Sequence, residues 1–342
     1  MRIAIANSSA VAVEAIRRVV TSRRGLEVAW VASDSAEAVE KTARDRPDLI
    51  LMDLVLPAMG GVRTTRTIMQ QIPCAILIVT DRVSNNAARV FEAMGAGALD
   101  AENTPVIGAE GHVRGAEELL RKIMMVERLI GQEAAASKTD RAGEATGNQV
   151  RPMIAIGSST GGPKALAEVL SRLPEKPGAP IVIVQHVDEQ FAGGLVSWLS
   201  GQTRLKVVLA KADSPPEPDT VSVAGTNDHL VVGADLAFHY VAEPLNNPYR
   251  PSVDVFFLSL LDYWPAKGVA VLLTGMGGDG ARGLKALRRA GWHTIVQDEK
   301  TSVVYGMPKA AVALGAAAEI LPIGEIGAAI AKIIKSKEGL SL

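Results

Sequence analysis

Short apolar runs alternate with amphipathic segments over the first 130 residues of the chain. The apolar runs predict strands at residues 2–6, 27–32, 48–53, 75–80 and 98–101. Segments with a helical spacing of apolar positions predict helices at residues 11–20, 36–44, 61–70, 85–94 and 117–129. Strands that alternate with helices in this way predict an α/β fold with a parallel sheet covered on both faces.

The stretch that follows has a different composition. Small and polar side chains dominate residues 131–149, and no apolar period runs through them. This pattern predicts a flexible linker. We therefore expect two domains, over residues 1–130 and residues 150–342, which agrees with a chain of 342 residues.

The second half opens with a predicted strand, a tight turn and a helix. Residues 153–156 form a short apolar run, as in a parallel strand buried on both faces. Gly157 permits a sharp exit from that strand, and Pro163 suits the first turn of a helix. The turn between them carries hydroxyl side chains, on Ser158, Ser159 and Thr160. This turn lies at the carboxyl end of the predicted sheet, where open α/β sheets bind ligands.

Three interpretations of this turn are open. One hydroxyl acts as a nucleophile, or the loop cradles a phosphate at a helix N-terminus, or the hydroxyls only cap the helix. The spacing does not match G-x-S-x-G, so the sequence does not support a nucleophile elbow of the α/β-hydrolase kind. The turn by itself does not choose among the three interpretations.

Two more predicted strands of the second half lead to useful side chains. The apolar run at residues 180–184 leads to His186, and the run at residues 268–273 enters a glycine-rich loop that contains Asp279. A lone histidine at a strand end is more often structural, but parallel strands present their ends at one edge of a sheet. An acidic group in the loop would repel phosphate, whereas a carboxylate can orient a histidine. Ser159, His186 and Asp279 are therefore predicted to form a Ser-His-Asp set.

Other polar residues of the second half are weaker candidates. His229, His239 and His293 have neither the spacing nor the neighbours of a recognisable metal site, so we predict no metal there. Arg250 lies in a polar loop stiffened by prolines. It either contacts a substrate or pairs with a local aspartate, and the sequence favours neither.

Composition and charge narrow the class of protein. The formal net charge of −1 argues against a nucleic-acid binder that depends on a basic surface. Cys74 is the only cysteine, which fits a reducing compartment without disulfides. No apolar run approaches the ~20 residues of a membrane span, and the first residues lack a signal-peptide layout. We expect a cytoplasmic protein that does not insert into a membrane.

The first half resembles the receiver domain of two-component response regulators. The resembling positions are residues 47–53, Leu56, Pro57, Gly60, Gly61, Thr80 and residues 95–100. The resemblance implies a flavodoxin-like fold in which Asp53 accepts phosphate from a CheA-type histidine kinase. It also implies that Thr80 provides the switch hydroxyl.

Two departures from the receiver pattern affect this expectation. Asn7 and Ser8 stand where receivers carry the acidic pair that holds Mg²⁺. Thr104 stands before Pro105, where receivers carry a lysine. Mg²⁺ usually needs one or two carboxylates besides phosphate oxygens, so Asp53 alone is expected to be a poor Mg²⁺ site. The domain is then either a working phosphoacceptor or a degenerate receiver used for protein interaction or inhibition.

The second half resembles the catalytic domain of the chemotaxis protein-glutamate methylesterases, CheB. The resembling segments are residues 156–162, 185–186, 250–254, 273–280, 297–299 and 302–308. The resemblance implies a doubly wound, mostly parallel α/β domain. It also implies hydrolysis of glutamate γ-methyl esters on methyl-accepting chemotaxis receptors, without a cofactor, which resets signalling in a chemosensory pathway.

The resemblance to CheB assigns roles to the predicted site. Ser159 would attack the ester, His186 would take its proton, and Asp279 would orient the imidazole. Ser158 stands where the family often has alanine, so it is not the expected nucleophile. Family members also deamidate receptor glutamines through the same acyl intermediate.

The resemblance extends to the surroundings of the site and to regulation. The backbone N–H of Met276 would help to form the oxyanion hole, and Thr160 would support the active site. The receiver would cover the catalytic edge until it is phosphorylated. Its altered residues resemble those of methylesterases in Wsp-type pathways, which control a diguanylate cyclase.

One alternative function is a non-catalytic regulator. In that case the loops at residues 158–162 and 275–280 would bind a nucleotide or a protein. This alternative predicts binding without any hydrolysis that depends on Ser159.

Overall fold

The protein is described from a computed structural model, which covers residues 1–83, 86–108, 112–131, 150–245 and 247–338. The chain divides into two compact units, Met1–Ala134 and Ala135–Leu342. The linker predicted over residues 131–149 lies outside the described residues, apart from Gly131. The predicted linker therefore stays a prediction.

Parallel strands alternate with helices in the first unit. Its strands are β1 (Arg2–Ala6), β2 (Glu27–Ala32), β3 (Leu49–Met52), β4 (Ala75–Thr80) and β5 (Asp100–Asn103), followed by a short antiparallel pair, β6 (Val106–Ile107) and β7 (Val113–Arg114). The helices are α1 (Ala10–Thr21), α2 (Ser35–Arg44), α3 (Gly61–Gln71), α4 (Ala87–Ala96) and α5 (Ala116–Gly131). The main sheet has the order β2-β1-β3-β4-β5 with parallel neighbours, so the predicted α/β fold is confirmed.

The last strand of this sheet starts two residues later than the sequence pattern predicts. Gly97 adopts a φ of +119°, which ends α4 in a left-handed turn. The N–H of Ala98 still donates to Ala93 O, so residue 98 belongs to the helix cap rather than to β5. The start predicted for this helix, residue 85, lies outside the described residues.

The second unit is larger and has the same alternation. Its strands are β8 (Ile154–Ser158), β9 (Ile181–Gln185), β10 (Lys206–Leu209), β11 (Thr220–Val223), β12 (His229–Val232), β13 (Phe238–Val241), β14 (Val269–Leu272), β15 (His293–Gln297) and β16 (Glu319–Leu321). Its helices are α6 (Gly162–Ser171), α7 (Glu189–Ser200), α8 (Val253–Tyr263), α9 (Ala281–Arg289), α10 (Met307–Ala313) and α11 (Ile323–Glu338).

The topology of the second sheet creates a crevice. Its strands have the order β10-β11-β9-β8-β14-β15-β16, and all neighbours are parallel. β12 and β13 form a separate antiparallel hairpin. The chain extends the sheet to one side of β8 and then, from β14 onward, to the other side. Such a switch point opens a crevice at the carboxyl ends of the two strands, where α/β proteins bind ligands.

The core of the second unit fixes α8 against this sheet. Phe256 and Phe257 of α8 are fully buried together with Leu272 of β14. Burial of a large apolar side chain stabilises the fold by roughly 1.5–3 kcal/mol, so the N-terminus of α8 is firmly held near the crevice.

Within the described residues, no helix is both long and apolar enough to cross a membrane.

Candidate active site

The predicted nucleophile, base and carboxylate follow three adjacent strands. Ser159 comes directly after β8, His186 directly after β9, and Asp279 lies in the loop after β14. The N–H of His186 donates to Ser158 O at 3.0 Å, and the N–H of Ser159 donates to Thr274 O at 3.0 Å. These backbone bonds extend the sheet beyond its strands and hold the three chain segments together.

His186 and Asp279 form a buried pair. The His186 Nε2 atom lies 2.8 Å from Asp279 Oδ2, and both side chains are almost entirely shielded from solvent. Burial acts to raise the pKa of Asp279, but the hydrogen bond and charge of His186, with donors from Ser252 and Val253, outweigh it. The pKa of this carboxyl therefore lies below its ordinary value. Asp279 is ionised at neutral pH, and its Oδ2 atom accepts a hydrogen bond from the N–H of His186 at Nε2.

The start of α8 supplies further donors to the carboxylate of Asp279. The Ser252 hydroxyl donates to Oδ1 at 2.7 Å, and the N–H groups of Val253 and Asp254 donate at 2.6 and 3.1 Å. A helix N-terminus favours a negative charge, because its N–H groups and dipole point toward it. The sequence analysis missed this role of Ser252, although a serine just before an apolar helix is a recognisable N-cap signal.

His229 supports this arrangement from behind. It is fully buried, and the N–H of Ser252 donates to its Nδ1 atom at 3.1 Å. Because Nδ1 accepts a bond, the ring's proton lies on Nε2, which is 3.4 Å from Pro244 O. His229 is thus a buried residue whose ring supports the start of α8. Among the described residues, no group of three or more histidines, cysteines and carboxylates is arranged to hold a metal ion.

The two serines of the turn have different surroundings. Ser158 is 0% exposed, and its hydroxyl donates to Gln185 Oε1 at 2.7 Å. Gln185 in turn donates to Ser159 O at 2.9 Å, so both residues hold the turn in place. The hydroxyl of Ser159 makes no hydrogen bond with any described residue, and Ser159 keeps 7% exposure. Of the two hydroxyls, the one on Ser159 is free to react.

One nitrogen of His186 also lacks a partner. Its Nδ1 atom is buried and makes no hydrogen bond with the described part of the chain. Nε2 is engaged by Asp279. If this ring acts as a base, Nδ1 must be the atom that accepts the proton.

Two backbone N–H groups near Ser159 are unpaired. A Cβ atom built on Gly275 would lie 2.8 Å from Ser159 Cβ, so Met276 follows directly on a residue in contact with the serine. Within the described residues, the N–H groups of Met276 and Thr160 make no hydrogen bond. Thr160 is the residue after Ser159, the position that supplies an oxyanion donor in many serine hydrolases.

Thr274 and Gln297 hold these loops from below. The Thr274 hydroxyl donates to Thr160 O at 2.9 Å and accepts from the N–H of Val304 at 2.9 Å. The N–H of Thr274 donates to the side chain of Gln297 at 2.8 Å. The Thr274 hydroxyl, the Thr274 N–H and the Gln297 side chain are all buried and hydrogen-bonded. These bonds tie the glycine-rich loop to the turn after β8.

The guanidinium of Arg250 pairs with a neighbouring aspartate. Its Nη2 atom donates to Asp228 Oδ1 at 2.8 Å and to Ala242 O at 3.3 Å. The structure thus contains the local pairing that the sequence offered as one of two alternatives. A contact between Arg250 and a substrate stays a prediction.

An aromatic residue that the sequence analysis did not single out covers the base. The Tyr249 ring stacks on the ring of His186, with centroids 4.6 Å apart and an interplanar angle of 11°. No spacing rule predicts this contact, because Tyr249 lies in an irregular loop between β13 and α8.

The predicted phosphoacceptor lies at the carboxyl end of the first unit's sheet. Asp53 directly follows β3, and its Oδ1 atom accepts from the N–H of Val55 at 3.1 Å. Burial is the main reason why the pKa of Asp53 is raised, and the charge of Asp81 adds to the effect. Thr80, the predicted switch residue, ends the neighbouring strand β4 and is buried.

The surroundings of Asp53 fit Mg²⁺ poorly. Asn7 is buried, and its side-chain oxygen accepts from the N–H of Ser9 at 2.8 Å. The guanidinium of Arg89 donates to Leu54 O at 3.3 Å, and its positive charge acts on Asp53. Mg²⁺ prefers carboxylate and phosphate oxygens, whereas Asn7 offers an amide oxygen and Arg89 brings a positive charge that acts on Asp53.

Comparison with protein families gives a separate match for each of the two units. Residues 3–103 match the response regulator receiver domain, and residues 154–330 match the CheB methylesterase family. The second match includes all three segments that carry Ser159, His186 and Asp279.

Whole-chain relatives and one solved structure point the same way. A Burkholderia orbicola protein, protein-glutamate methylesterase/protein-glutamine glutaminase 2, is 51% identical over 98% of this chain and 100% of its own length. The Pseudomonas putida protein of that name from the group 3 operon is 51% identical over 95% of this chain and 97% of its own. The Thermotoga maritima CheB methylesterase catalytic domain is 33% identical, with a TM-score of 0.52, over 54% of this chain and 98% of that one.

The two whole-chain relatives cover 98% and 95% of this chain, so they include both units. The identity is high enough, over enough of each protein, to show common descent rather than a shared fold alone. The chain therefore belongs to the CheB family, in which a response regulator receiver domain precedes a methylesterase domain.

Proposed function

We propose that this protein hydrolyses glutamate γ-methyl esters on methyl-accepting chemotaxis receptors. The observation that carries the proposal is the pairing of His186 with an ionised, buried Asp279 beside a serine whose hydroxyl is free. Whole-chain relatives bear the name protein-glutamate methylesterase. The reaction resets signalling in a chemosensory pathway.

The first chemical step forms an acyl-enzyme. The Ser159 hydroxyl attacks the ester carbonyl while His186 Nδ1 takes its proton. Asp279, bonded to Nε2–H, keeps the ring in this tautomer and stabilises the imidazolium. The carbonyl oxygen gains a negative charge, and the free N–H groups of Met276 and Thr160 are the donors available to it. Loss of one such donor typically lowers the rate ~10²–10³-fold.

Loss of methanol completes the acyl-enzyme, and water then hydrolyses it. The imidazolium of His186 gives its proton to methanol as it leaves, and the acyl group remains on Ser159 Oγ. Water then attacks the acyl carbonyl while His186 takes a proton. His186 passes that proton to Ser159 Oγ as the bond from Oγ to the acyl carbon breaks, and the released glutamate carboxyl group ionises in water. No step requires a cofactor.

Deamidation follows from the same intermediate. A glutamine side chain presents an amide in place of the ester, so ammonia leaves instead of methanol, and the same acyl-enzyme is hydrolysed. The names of the relatives include protein-glutamine glutaminase, which supports this second activity.

The receiver domain regulates the esterase in this proposal. Asp53 is the candidate acceptor of a phosphoryl group from a CheA-type histidine kinase, with Thr80 as the switch hydroxyl. The poor fit of Mg²⁺ around Asp53 favours weak phosphotransfer. The receptor substrate and the kinase both imply a cytoplasmic protein, which acts without nucleic acid or membrane insertion.

The alternative of a nucleotide-binding regulator has less support. The glycine-rich loop carries Asp279, whose carboxylate is ionised and already receives several donors. A phosphate placed there would meet a like charge in a shielded site, where repulsion is strong.

Methanol release from membranes that contain methylated receptors tests the esterase. Wild-type protein should release methanol, and Ser159→Ala should lower the rate roughly 10⁴–10⁶-fold, as for other serine hydrolases that lose the nucleophile. Ser158→Ala is the matched control. It removes a neighbouring hydroxyl that is engaged with Gln185, and it should keep most of the activity. Equal losses in the two variants would contradict the assignment of Ser159 as nucleophile.

A further inference from the structure

Tyr249 covers one face of the imidazole of His186. The two rings are nearly parallel, with an interplanar angle of 11° and centroids 4.6 Å apart. Stacked aromatic pairs have centroid separations of about 4.5–7 Å, so this is a close contact. One face of the predicted base is therefore closed by a flat wall.

The other end of the Tyr249 side chain lies on the glycine-rich loop. A Cβ atom built on Gly277 would lie 2.1 Å from the Tyr249 hydroxyl oxygen, so only a glycine fits beneath it. Gly277 has a φ of +80° and stands between Met276 and the carboxylate of Asp279. A single side chain thus contacts both the base and the loop that carries the oxyanion donor.

The loop that carries Tyr249 is itself anchored. The N–H of Tyr249 donates to Asn247 Oδ1 at 2.9 Å. The next residue, Arg250, is tied to Asp228 at 2.8 Å. The ring is therefore held in place from both sides of its position in the chain.

The bond from His186 to Asp279 does not determine the orientation of the ring by itself. A hydrogen bond at Nε2 fixes one edge of the imidazole, but the ring can still tilt about that edge. Nδ1, at another position of the ring, has no partner in the described residues that would prevent the tilt. A parallel aromatic face blocks the tilt toward Tyr249, because rotation in that direction would bring the two rings into collision.

The aromatic face also has an electrostatic effect. Aromatic faces attract cations by about 0.5–1 kcal/mol at exposed sites and more when desolvated. The imidazolium formed during catalysis has such a face on one side and the charge of Asp279 at its edge. Burial, with the Asp279 charge, raises the pKa of Tyr249, so the ring remains a neutral phenol at working pH.

We propose that Tyr249 is a positioning residue for the reaction, which holds the imidazole of His186 in the plane that directs Nδ1 to Ser159 and favours its protonated form. The inference rests on the proposed serine esterase. It assigns the effect to the aromatic ring and not to the phenol hydroxyl.

A phosphonofluoridate probe tests this without any receptor. Ser159 Oγ attacks phosphorus, fluoride leaves, and the proton passes to His186, so the labelling rate reports how well the base activates the serine. Full-length wild type, Tyr249→Phe and Tyr249→Leu are compared across pH, with Ser159→Ala as the unlabelled reference and thermal unfolding as a check on folding.

Tyr249→Phe keeps the stack and should label within about twofold of wild type. Tyr249→Leu should label roughly 2–13-fold more slowly, from the 0.5–1.5 kcal/mol of an aromatic pair. Its acidic limb should also shift to lower pH, since the imidazolium loses the attraction of the aromatic face. A labelling rate that is kept in Tyr249→Phe but lowered in Tyr249→Leu supports a role of the aromatic ring.

Three results would overturn the proposal. The first is a wild-type labelling rate in Tyr249→Leu, and the second is an equal loss of labelling rate in Tyr249→Phe and Tyr249→Leu. The third is a loss of labelling rate in Tyr249→Leu that is the same at every pH, without a shift of the acidic limb. The proposed esterase fails in a different way, because wild-type protein would then show no labelling of Ser159 or no release of methanol.

Discussion

The hydroxyl of Ser252 connects the stability of α8 with the charge of Asp279. It donates to Asp279 Oδ1 at 2.7 Å and accepts from the N–H of Val255 at 3.3 Å. Ser252→Ala removes both bonds without adding volume. It leaves a buried carboxylate with one donor fewer and a helix without its N-cap.

The magnitude follows from these two bonds. A hydrogen bond to a charged group contributes about 1.5–3 kcal/mol, and loss of an N-cap side chain typically costs about 1 kcal/mol. One oxygen makes both bonds, so we expect Ser252→Ala to lower the free energy of unfolding of the second unit by about 2–4 kcal/mol. In a unit of this size the melting temperature should fall by roughly 5–15 °C.

The effect should depend on pH in a defined direction. The pKa of Asp279 is lowered in the folded protein. Its contribution to stability is therefore complete above the unfolded pKa, near 3.9, and is lost as pH falls through the folded pKa. Ser252→Ala raises the folded pKa of Asp279. The difference between wild type and variant should be full at neutral pH and should narrow below about pH 4.

Calorimetry of the full-length protein at neutral and acidic pH measures both effects. Ser200→Ala is the matched control in the same unit, since it removes only an exposed bond of 2.8 Å to Val196 O. Its expected change is within about 0.5 kcal/mol. The reasoning is refuted if Ser252→Ala melts like Ser200→Ala at neutral pH. A difference that does not narrow in acid would refute the electrostatic part alone.

Two further predictions concern the glycine-rich loop and the receiver. Gly277→Ala should lower both the stability and the rate of methanol release more than Gly315→Ala does. A Cβ at Gly277 would lie 2.1 Å from the Tyr249 hydroxyl, whereas a Cβ at Gly315 would lie in open space. Equal effects of the two variants on thermal unfolding would contradict the contact between Tyr249 and Gly277. Asn7→Asp combined with Thr104→Lys should raise Mg²⁺-dependent labelling by acetyl phosphate roughly tenfold or more, because charged partners contribute about 1.5–3 kcal/mol each. Unchanged phosphorylation on a phosphate-affinity gel would show that these two positions do not limit the reaction.

The order of strands and helices could be predicted from the sequence because it depends on local patterns. Fully apolar runs such as residues 49–52 and 154–156 are required of strands covered on both faces. Parallel strands place their carboxyl ends at one edge, so side chains that follow β8, β9 and β14 were expected to meet there. The pairing of His186 with Asp279 agrees with that expectation.

The choice of nucleophile between Ser158 and Ser159 shows what residue types alone could not predict. Adjacent serines have the same chemistry, and the resemblance to CheB supplied the only stated reason to set Ser158 aside. In the folded protein the Ser158 hydroxyl is buried and donates to Gln185, while the Ser159 hydroxyl has no hydrogen-bond partner among the described residues. A strand points successive side chains to opposite faces, so which serine faces the crevice depends on the register of β8 with its neighbours.

The sequence by itself determined the two α/β units and the family, and it predicted the reacting side chains, because these follow from periodicity and from short motifs. The tertiary structure alone decided which nitrogen of His186 is free, that Arg250 pairs with Asp228, and that Tyr249 covers the base. Each of these depends on contacts between residues far apart in the chain, often in irregular loops. Such contacts depend on distances of a few ångströms between side chains, and no periodicity along the chain records those distances.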